Sequence, residues 1–292
     1  MEQFLLVVCF RRPNSVQGEY MMRTIQLVIA GFAFALGFTL PAYGGIISHW
    51  QFEEGVAGAF ATGSSSILDS SANSLHMSPF GTSQYVSVTN PGSTVGMEYF
   101  GAGYAFRADS SQYNVQNLTL EAFVRYDGGS SLRQIFFRGN SVGGRDPFYL
   151  AVLNGHLAFN VSDGITADVR IDSPGLLPVG QFVHVAGTLD HTTDTMKIFV
   201  AGVEVGSRSA GGLRPTTLLS GSQVSIGALY DGFSRGQYFD GVIDEVRISN
   251  LALSPSQFLG ADNGTVPEPA TLALFCTGLL MVFRLGRRKV HS

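Results

Sequence analysis

The chain has 292 residues, with 18 Lys and Arg against 22 Asp and Glu, 45% hydrophobic and 14% charged residues, and 36 Gly. Low charge without low hydrophobicity excludes disorder as the default, and the length gives one domain of ordinary to large size plus accessory segments. The two cysteines, Cys9 and Cys276, lie in apolar segments near opposite ends, which excludes a disulfide framework for the body.

Residues 1–44 read as an N-terminal extension and a secretory signal peptide. Arg23 precedes the apolar run Ile25 to Leu40, and Pro41 with the small residues Ala42 and Gly44 follows at the spacing a signal peptidase prefers. An uncleaved membrane anchor is the competing reading. The first twenty residues carry a separate apolar run closed by Arg11 and Arg12, so translation is expected to start at Met21 or Met22. N-terminal sequencing of the unprocessed protein tests this.

Between residues 45 and 265 there are 11 Lys or Arg and 19 Asp or Glu, a balance of −8, and no basic patch alternates with aromatics. Nucleic acid is therefore excluded as a partner class. Trp50 and Phe52 are expected in the register of a first strand, with Glu53 after it. From Leu118 to Asp127 residues alternate, with Leu118, Leu120, Ala122, Val124 and Tyr126 on one face and Thr119, Glu121, Arg125 and Asp127 on the other. Similar runs follow at 134–138, 148–153, 156–161, 182–189, 196–200, 203–207, 224–229 and 242–249. Asn154-Gly155 and Ala201-Gly202 sit at hairpin spacing. Outside the termini the sole helical signal is one turn at 254–259, where Ser254 caps and Pro255 takes the first helical position. Many short strands with Gly-rich turns predict an all-β sandwich or jelly roll of two antiparallel sheets. The segment 87–106 fits no pattern.

The C-terminal segment, 263–292, opens with Val266, Pro267, Glu268 and Pro269. The apolar stretch Thr271 to Phe283 comes next, and the basic residues Arg284, Arg287, Arg288 and Lys289 close it. The apolar stretch is shorter than the roughly 20 residues that span a bilayer comfortably, but basic residues behind it reach the headgroups and mark the cytoplasmic side. These features in immediate succession resemble the PEP-CTERM sorting signal of Gram-negative bacteria that make extracellular polymer. The resemblance implies an exosortase-type sorting enzyme as partner, membrane insertion during sorting through a short terminal helix, and delivery to the cell surface or extracellular matrix. A simple C-terminal anchor with a periplasmic body is the plainer alternative.

The body carries a second resemblance, over residues 45–262. The segments 48–56 (SHWQFEEGV), 68–75 (LDSSANSL), 118–125, 181–190 (QFVHVAGTLD), 196–206 and 241–249 (GVIDEVRIS) occur in the order seen in the LamG-like, concanavalin A-like jelly rolls. That family implies two antiparallel sheets, often a calcium ion at the rim, and roles in adhesion, glycan binding or matrix association.

Strand alternation puts Asp244 on the face of Val242, Val246 and Ile248, where a bare charge is costly. Hard oxygen donors from several loops suit Ca2+, and Glu53, Asp69 and Asn73 are its natural companions, at positions to which the family resemblance also points. The alternative is that Asp244 accepts backbone hydrogen bonds and no metal binds. Tyr230, Phe233 and Tyr238 surround a Gly-rich loop and are the candidates for stacking on sugar rings. Trp50 and Phe52 read as core. Gly232-Phe233-Ser234-Arg235-Gly236 matches the nucleophile-elbow pattern, but no helix follows, so it reads as a loop. The carboxylates show no catalytic pairing: Glu121 shares its face with Phe123 and Arg125, and the adjacent Asp244 and Glu245 point to opposite faces. His49 and His184 read as strand residues with hydrogen-bond partners. The sequence thus predicts no catalytic residue and a non-enzymatic, surface- or matrix-sorted module that binds extracellular polysaccharide or a cell-surface protein, or serves as structure in a biofilm. The competing function is a glycan-active hydrolase or lyase, which needs two convergent ionisable groups in a cleft.

Overall fold

The computed structural model describes residues 45–139, 145–216 and 221–261. The expected signal peptide, the sorting residues Val266, Pro267, Glu268, Pro269, Arg284, Arg287, Arg288 and Lys289, and the terminal helices lie outside the described residues. Within them no helix is long and apolar enough to cross a membrane.

The chain enters with β1 (Ile46–Trp50) and forms a long hairpin of β2 (Ser78–Ser87) and β3 (Val95–Ala108). A 3-10 turn, Ser111–Tyr113, leads into β4 (Leu118–Tyr126), β5 (Leu132–Gly139), β6 (Phe148–Leu153), β7 (His156–Ser162) and β8 (Asp168–Leu176). A meander follows of β9 (Phe182–Asp190), β10 (Thr195–Val200) and β11 (Val203–Ser209). Then come β12 (Gln223–Ile226), the two-residue strands β13 (Leu229–Tyr230) and β14 (Arg235–Gly236), and β15 (Gly241–Ser249). A 3-10 turn at Pro255–Gln257 closes the described chain, with Ser254 at its N-cap and Pro255 first in the turn, as the sequence predicted.

The strands make one antiparallel path, β11-β10-β9-β4-β15-β3-β12-β5-β6-β7-β8, with β1 added beside β15 and β2 beside β3. It folds into two layers because β3 serves both: Met97 to Tyr99 pair with β15, and Ala105 to Ala108 pair with β12. The far edges meet where Arg208 donates to the Arg170 carbonyl across β11 and β8. The architecture is the predicted all-β antiparallel sandwich.

Between the layers lies one apolar core, and the alternation read in β4 delivers to it Leu118, Leu120, Ala122, Val124 and Tyr126. Trp50 and Phe52 are fully buried there, with Trp50 stacked on Phe136 and its indole N–H given to the Leu75 carbonyl. Gly187 lets the layers approach: a Cβ at that position would overlap the Phe159 ring. Asn154-Gly155 and Ala201-Gly202 both turn with two positive φ angles, the geometry of two-residue hairpins.

Three expectations need correction. Residues 87–106, which showed no pattern, hold most of β3. Glycines at 96, 101 and 103 break its alternation, and the strand changes partner midway. β8 went unpredicted because Pro174 and Gly175 interrupt a largely exposed edge strand. Asp244 is not on the core face with Val246 and Ile248. The β15 ladder shifts register between Asp244 and Arg247, with Glu245 at φ 53, and Ile243 rather than Val242 joins the core. Asp244 and Val242 therefore face outward together, against Gly96 and Val88.

Candidate functional site

On the outer side of the layer containing β12, a row of residues runs across the strands. Phe106 is opposite Ser225, Ser225 opposite Phe137, Phe137 opposite Tyr149, Tyr149 opposite Asn160, and Asn160 opposite Arg170. The β13–β14 hairpin folds back over this face. Asp231 Oδ1 accepts from the backbone N–H groups of Phe233 and Ser234, and the Gly232 between them has φ 97, which makes the turn tight. Tyr230 N donates to Ser225 Oγ, and Arg133 Nη1 donates to the Tyr238 carbonyl, so both hairpin arms are pinned to the sheet. The sequence from Gly232 to Gly236, read as a loop, is the turn and second strand of this hairpin, and no helix follows it.

This folding gathers five rings. Tyr104 is the hub: its ring centroid lies 4.9 Å from Phe80, 5.3 Å from Tyr230, 5.8 Å from Phe106 and 6.5 Å from Tyr238. Phe106 meets Tyr230 edge-on at 5.2 Å. The Arg235 guanidinium sits 4.3 Å from the Phe80 centroid and 5.5 Å from that of Tyr230. Tyr104 is fully buried, yet its hydroxyl has no hydrogen-bond partner. Desolvation pushes that phenol up to about 12, with Arg235 pulling the other way. Of the three predicted sugar-stacking residues, Tyr230 and Tyr238 belong to this cluster. Phe233 stands apart at the hairpin tip, 83% exposed. Phe80, Tyr104, Phe106 and Arg235 were missed. The Tyr104 and Phe106 spacing is a strand signal, but it was hidden in the segment that showed no pattern.

Beside the cluster, Asp146 is a half-buried carboxyl pushed up to about 7 by desolvation and by the charges of Asp168 and Asp231. Asn160, fully buried, gives its amide N–H to the Asp146 carbonyl while its own Oδ1 has no partner.

The four residues expected to hold calcium do not converge. Asp69 spends its oxygens on His49 N, Ser71 N, Ser71 Oγ and Leu75 N, and so fixes the first loop. Asn73 donates to the Ile47 carbonyl. Glu53 and Asp244 instead meet around the 88–94 loop. Desolvation of Glu53 is outweighed by Thr94 N and Oγ1, Val95 N and Ser93 Oγ, which hold its carboxyl down at about 2. Asp244 accepts from Asn90 Nδ2 through Oδ2, and burial pushes it up to about 7. Its Oδ1 is buried without a well-formed hydrogen bond: the nearby Ser93 hydroxyl lowers the carboxyl's pKa but is aimed at Glu53 and the Val95 carbonyl. The flanking backbone is unusual, with Phe52 at φ 61 and Glu245 at φ 53. Among the described residues no group of three or more His, Cys, Asp or Glu side chains is placed to hold a metal.

On the outer side of the other layer, Glu121 is fully buried. It accepts from Arg247 Nε and Nη2 at 2.8 and 2.5 Å, from Leu259 N at 2.8 Å, and lies 2.9 Å from His184 Nε2. The chain after β15 covers this network, with Phe258 packed between His184 and Phe199. His49 pairs with Glu245. Both histidines are thus strand residues with partners, as predicted. The burial of Glu121 was not predicted, since the alternation of β4 marked its face as polar.

A family model described as the concanavalin A-like lectin/glucanases superfamily matches residues 80–258. A second, the PEP-CTERM protein-sorting motif, matches residues 265–289. Among solved structures the chain is similar to domain 4 of an extracellular arabinanase from Geobacillus stearothermophilus in complex with arabinotriose. Identity is 17% and the TM-score 0.54, over 73% of this chain and 96% of that one. It is also similar to the binding domain of Paraclostridial Mosquitocidal Protein 1, at 12% identity and TM-score 0.52, over 73% of this chain and 50% of that one. The botulinum neurotoxin serotype C1 binding domain is similar at 13% identity and TM-score 0.51, again over 73% and 50%. Identities at this level speak for the fold alone. No curated protein matches the chain.

Proposed function

The chain belongs to the concanavalin A-like lectin/glucanases superfamily, and from that premise we propose that it is a sorted, extracellular, non-enzymatic glycan-binding module. Its PEP-CTERM motif implies processing by an exosortase and an extracellular destination. In this reading residues 1–44 are removed on secretion, 45–262 form the binding domain, and 263–292 hold the protein in the inner membrane until it reaches the cell surface or the exopolysaccharide matrix. There it binds glycans and contributes adhesion or structure.

The observation that carries this reading is the aromatic cluster around Tyr104, with Tyr230, Tyr238 and Phe80 presented at the edge of a sheet and a buried hydroxyl left without a partner. Sugar rings offer apolar C–H faces to aromatic rings and hydroxyls to such polar groups. The arabinotriose held by the arabinanase domain of like fold supports it. The test is affinity electrophoresis of the full chain through a panel of polysaccharides. Retardation by at least one glycan, lost in Tyr230→Ala, is the expected result. Mobility unchanged on every glycan overturns the reading.

Calcium enters this reading at Glu53 and Asp244 alone. A hard cation would be met there by the free Asp244 Oδ1 and the Glu53 carboxylate, and Asp69 and Asn73 would serve only to shape the neighbouring loop. Excess EDTA is expected to lower the melting temperature, and an unchanged melting temperature removes the metal.

One observation favours the competing reading of a glycan-active hydrolase or lyase. Asp146, raised to about 7 with Asp168 and Asp231 nearby, has the protonation behaviour of a general acid. Against it, Asp231 is buried and its Oδ1 already serves two backbone N–H groups. New reducing ends or unsaturated products released by the wild type and not by Asp146→Asn would establish the enzyme. None released on any glycan that binds would leave the module as a binder.

A further inference from the structure

The aromatic cluster carries a cation with no anion to answer it. Arg235 projects from β14 over Phe80 and Tyr230 and is exposed; its backbone pairs with Tyr230, but its guanidinium makes no hydrogen bond or ion pair among the described residues. Other arginines of the domain behave differently. Arg125, Arg138, Arg170, Arg214 and Arg247 each hold a carboxylate at 2.5 to 2.9 Å. Arg107, Arg133 and Arg208 hold no carboxylate either, but each donates to a backbone carbonyl. Arg138 also lies over rings and holds Asp109, whereas the Arg235 guanidinium over its rings holds no carboxylate.

The groups around Arg235 define what would complete it. Tyr104 brings a buried hydroxyl without a partner, and the Tyr230 and Tyr238 hydroxyls make no hydrogen bond within the described residues. Phe80, 37% exposed, lies beneath the guanidinium and leaves part of its ring at the surface. A ligand matching all of these has an apolar ring face, several hydroxyls and a carboxylate. Guanidinium binds a carboxylate through two parallel N–H donors, and its attraction is stronger beside rings that exclude water. Resting on the glycan-binding reading above, we propose that this site selects acidic glycans, and that Arg235 is the residue that takes the carboxylate of a uronic acid unit.

The probe is polygalacturonate, compared with its methyl-esterified form, which keeps the sugar backbone and removes the charge. The full chain is run through gels containing each polymer, as wild type, Arg235→Ala, Arg235→Lys and Tyr230→Ala. The basic C-terminal tail is common to all four, so differences among them report on the platform. Wild type is expected to bind polygalacturonate at least tenfold more tightly than the ester. Arg235→Ala should abolish that preference, and Arg235→Lys should restore part of it, since a point charge replaces a fork. Rising salt should weaken wild-type binding to the acid form more than binding to the ester. Equal binding to both polymers, unchanged by Arg235→Ala, overturns the acidic selectivity while leaving the platform intact. Binding unaffected by both Arg235→Ala and Tyr230→Ala places the glycan elsewhere and overturns this site while the glycan-binding reading stands; absence of binding to any polysaccharide overturns both.

Discussion

The outer faces of the two layers carry comparable amounts of polar and aromatic chemistry and treat it in opposite ways. Around Glu121 every charged group has a partner: two guanidinium contacts, one imidazole and a backbone amide surround one carboxylate, and the chain end covers them. Around Tyr104 a buried hydroxyl and an exposed guanidinium are left without partners. A satisfied network stabilises the fold it belongs to, whereas an unsatisfied one at a surface is completed by something outside the chain. The difference separates the two clusters, although both are rich in the residue types usually read as functional; beyond the Glu121 cluster, Asp244 Oδ1 on the same side also lacks a partner.

The sharpest way to break the comparison is Glu121→Ala, which strands Arg247 and His184 under Phe258 and is expected to cost about 3–5 kcal/mol in urea denaturation. A loss below about 1 kcal/mol would make the face an ordinary solvated surface. Next comes Gly260→Ala in the covering segment. Gly260 has φ +64 and a Cβ would press on the Phe123 ring, so a loss of more than about 1 kcal/mol is expected by thermal melting.

On the open face, Asp146→Asn changes the pH response. The folded carboxyl is pushed up to about 7 from the ordinary aspartate value of 3.8, so between those values the folded state holds a proton that the unfolded chain has released. That proton uptake makes wild-type stability fall as pH rises from about 4 to 7, and the variant should lack that slope in melts taken across the window. A slope equal in both proteins would show Asp146 to be an ordinary surface carboxylate. The smallest stability effect belongs to Phe233→Ala. With no ring partner it should leave stability within about 0.5 kcal/mol while weakening retention on a bound glycan severalfold. Unchanged retention would confine the site to the rings around Tyr104.

Much of this fold was legible in the sequence. The clean alternation of β4, the Asn154-Gly155 turn and the 241–249 strand marked a sandwich and its family. β3 was not legible, because period-2 reading fails where glycines interrupt a strand and where one strand serves two layers. The face of Asp244 was lost for a related reason: a bulge inverts the alternation downstream, and no local residue type announces it. The candidate site was half visible. Tyr230 and Tyr238 were placed by their loop, but their ring partners Phe80, Tyr104 and Phe106 come from the unread hairpin. Arg235 carried no signal until its lack of an ion-pair partner could be measured. Asp69 and Asn73 fix their own loop rather than converge with Glu53 and Asp244, and the sequence could not separate these roles because both draw on the same side chains.

A pull on the sorted tail would enter the domain at its covering segment. The chain beyond β15 is held by Thr119 to Leu251 and Leu253, by Arg247 to the Gln257 carbonyl, by Glu121 to Leu259 and by the Phe258 ring, none of them part of a strand ladder. Such contacts peel one after another, whereas β15 is gripped by β1 on one side and by β3 and β4 along its length. Stretched at roughly 3.3–3.6 Å per residue, the released segment gives slack on the order of 40 Å before the sandwich itself is loaded. Single-molecule pulling from the C-terminus should record that low-force step ahead of unfolding. The segment is then a yielding link, which takes up extension before any load reaches the strand ladders of the sandwich.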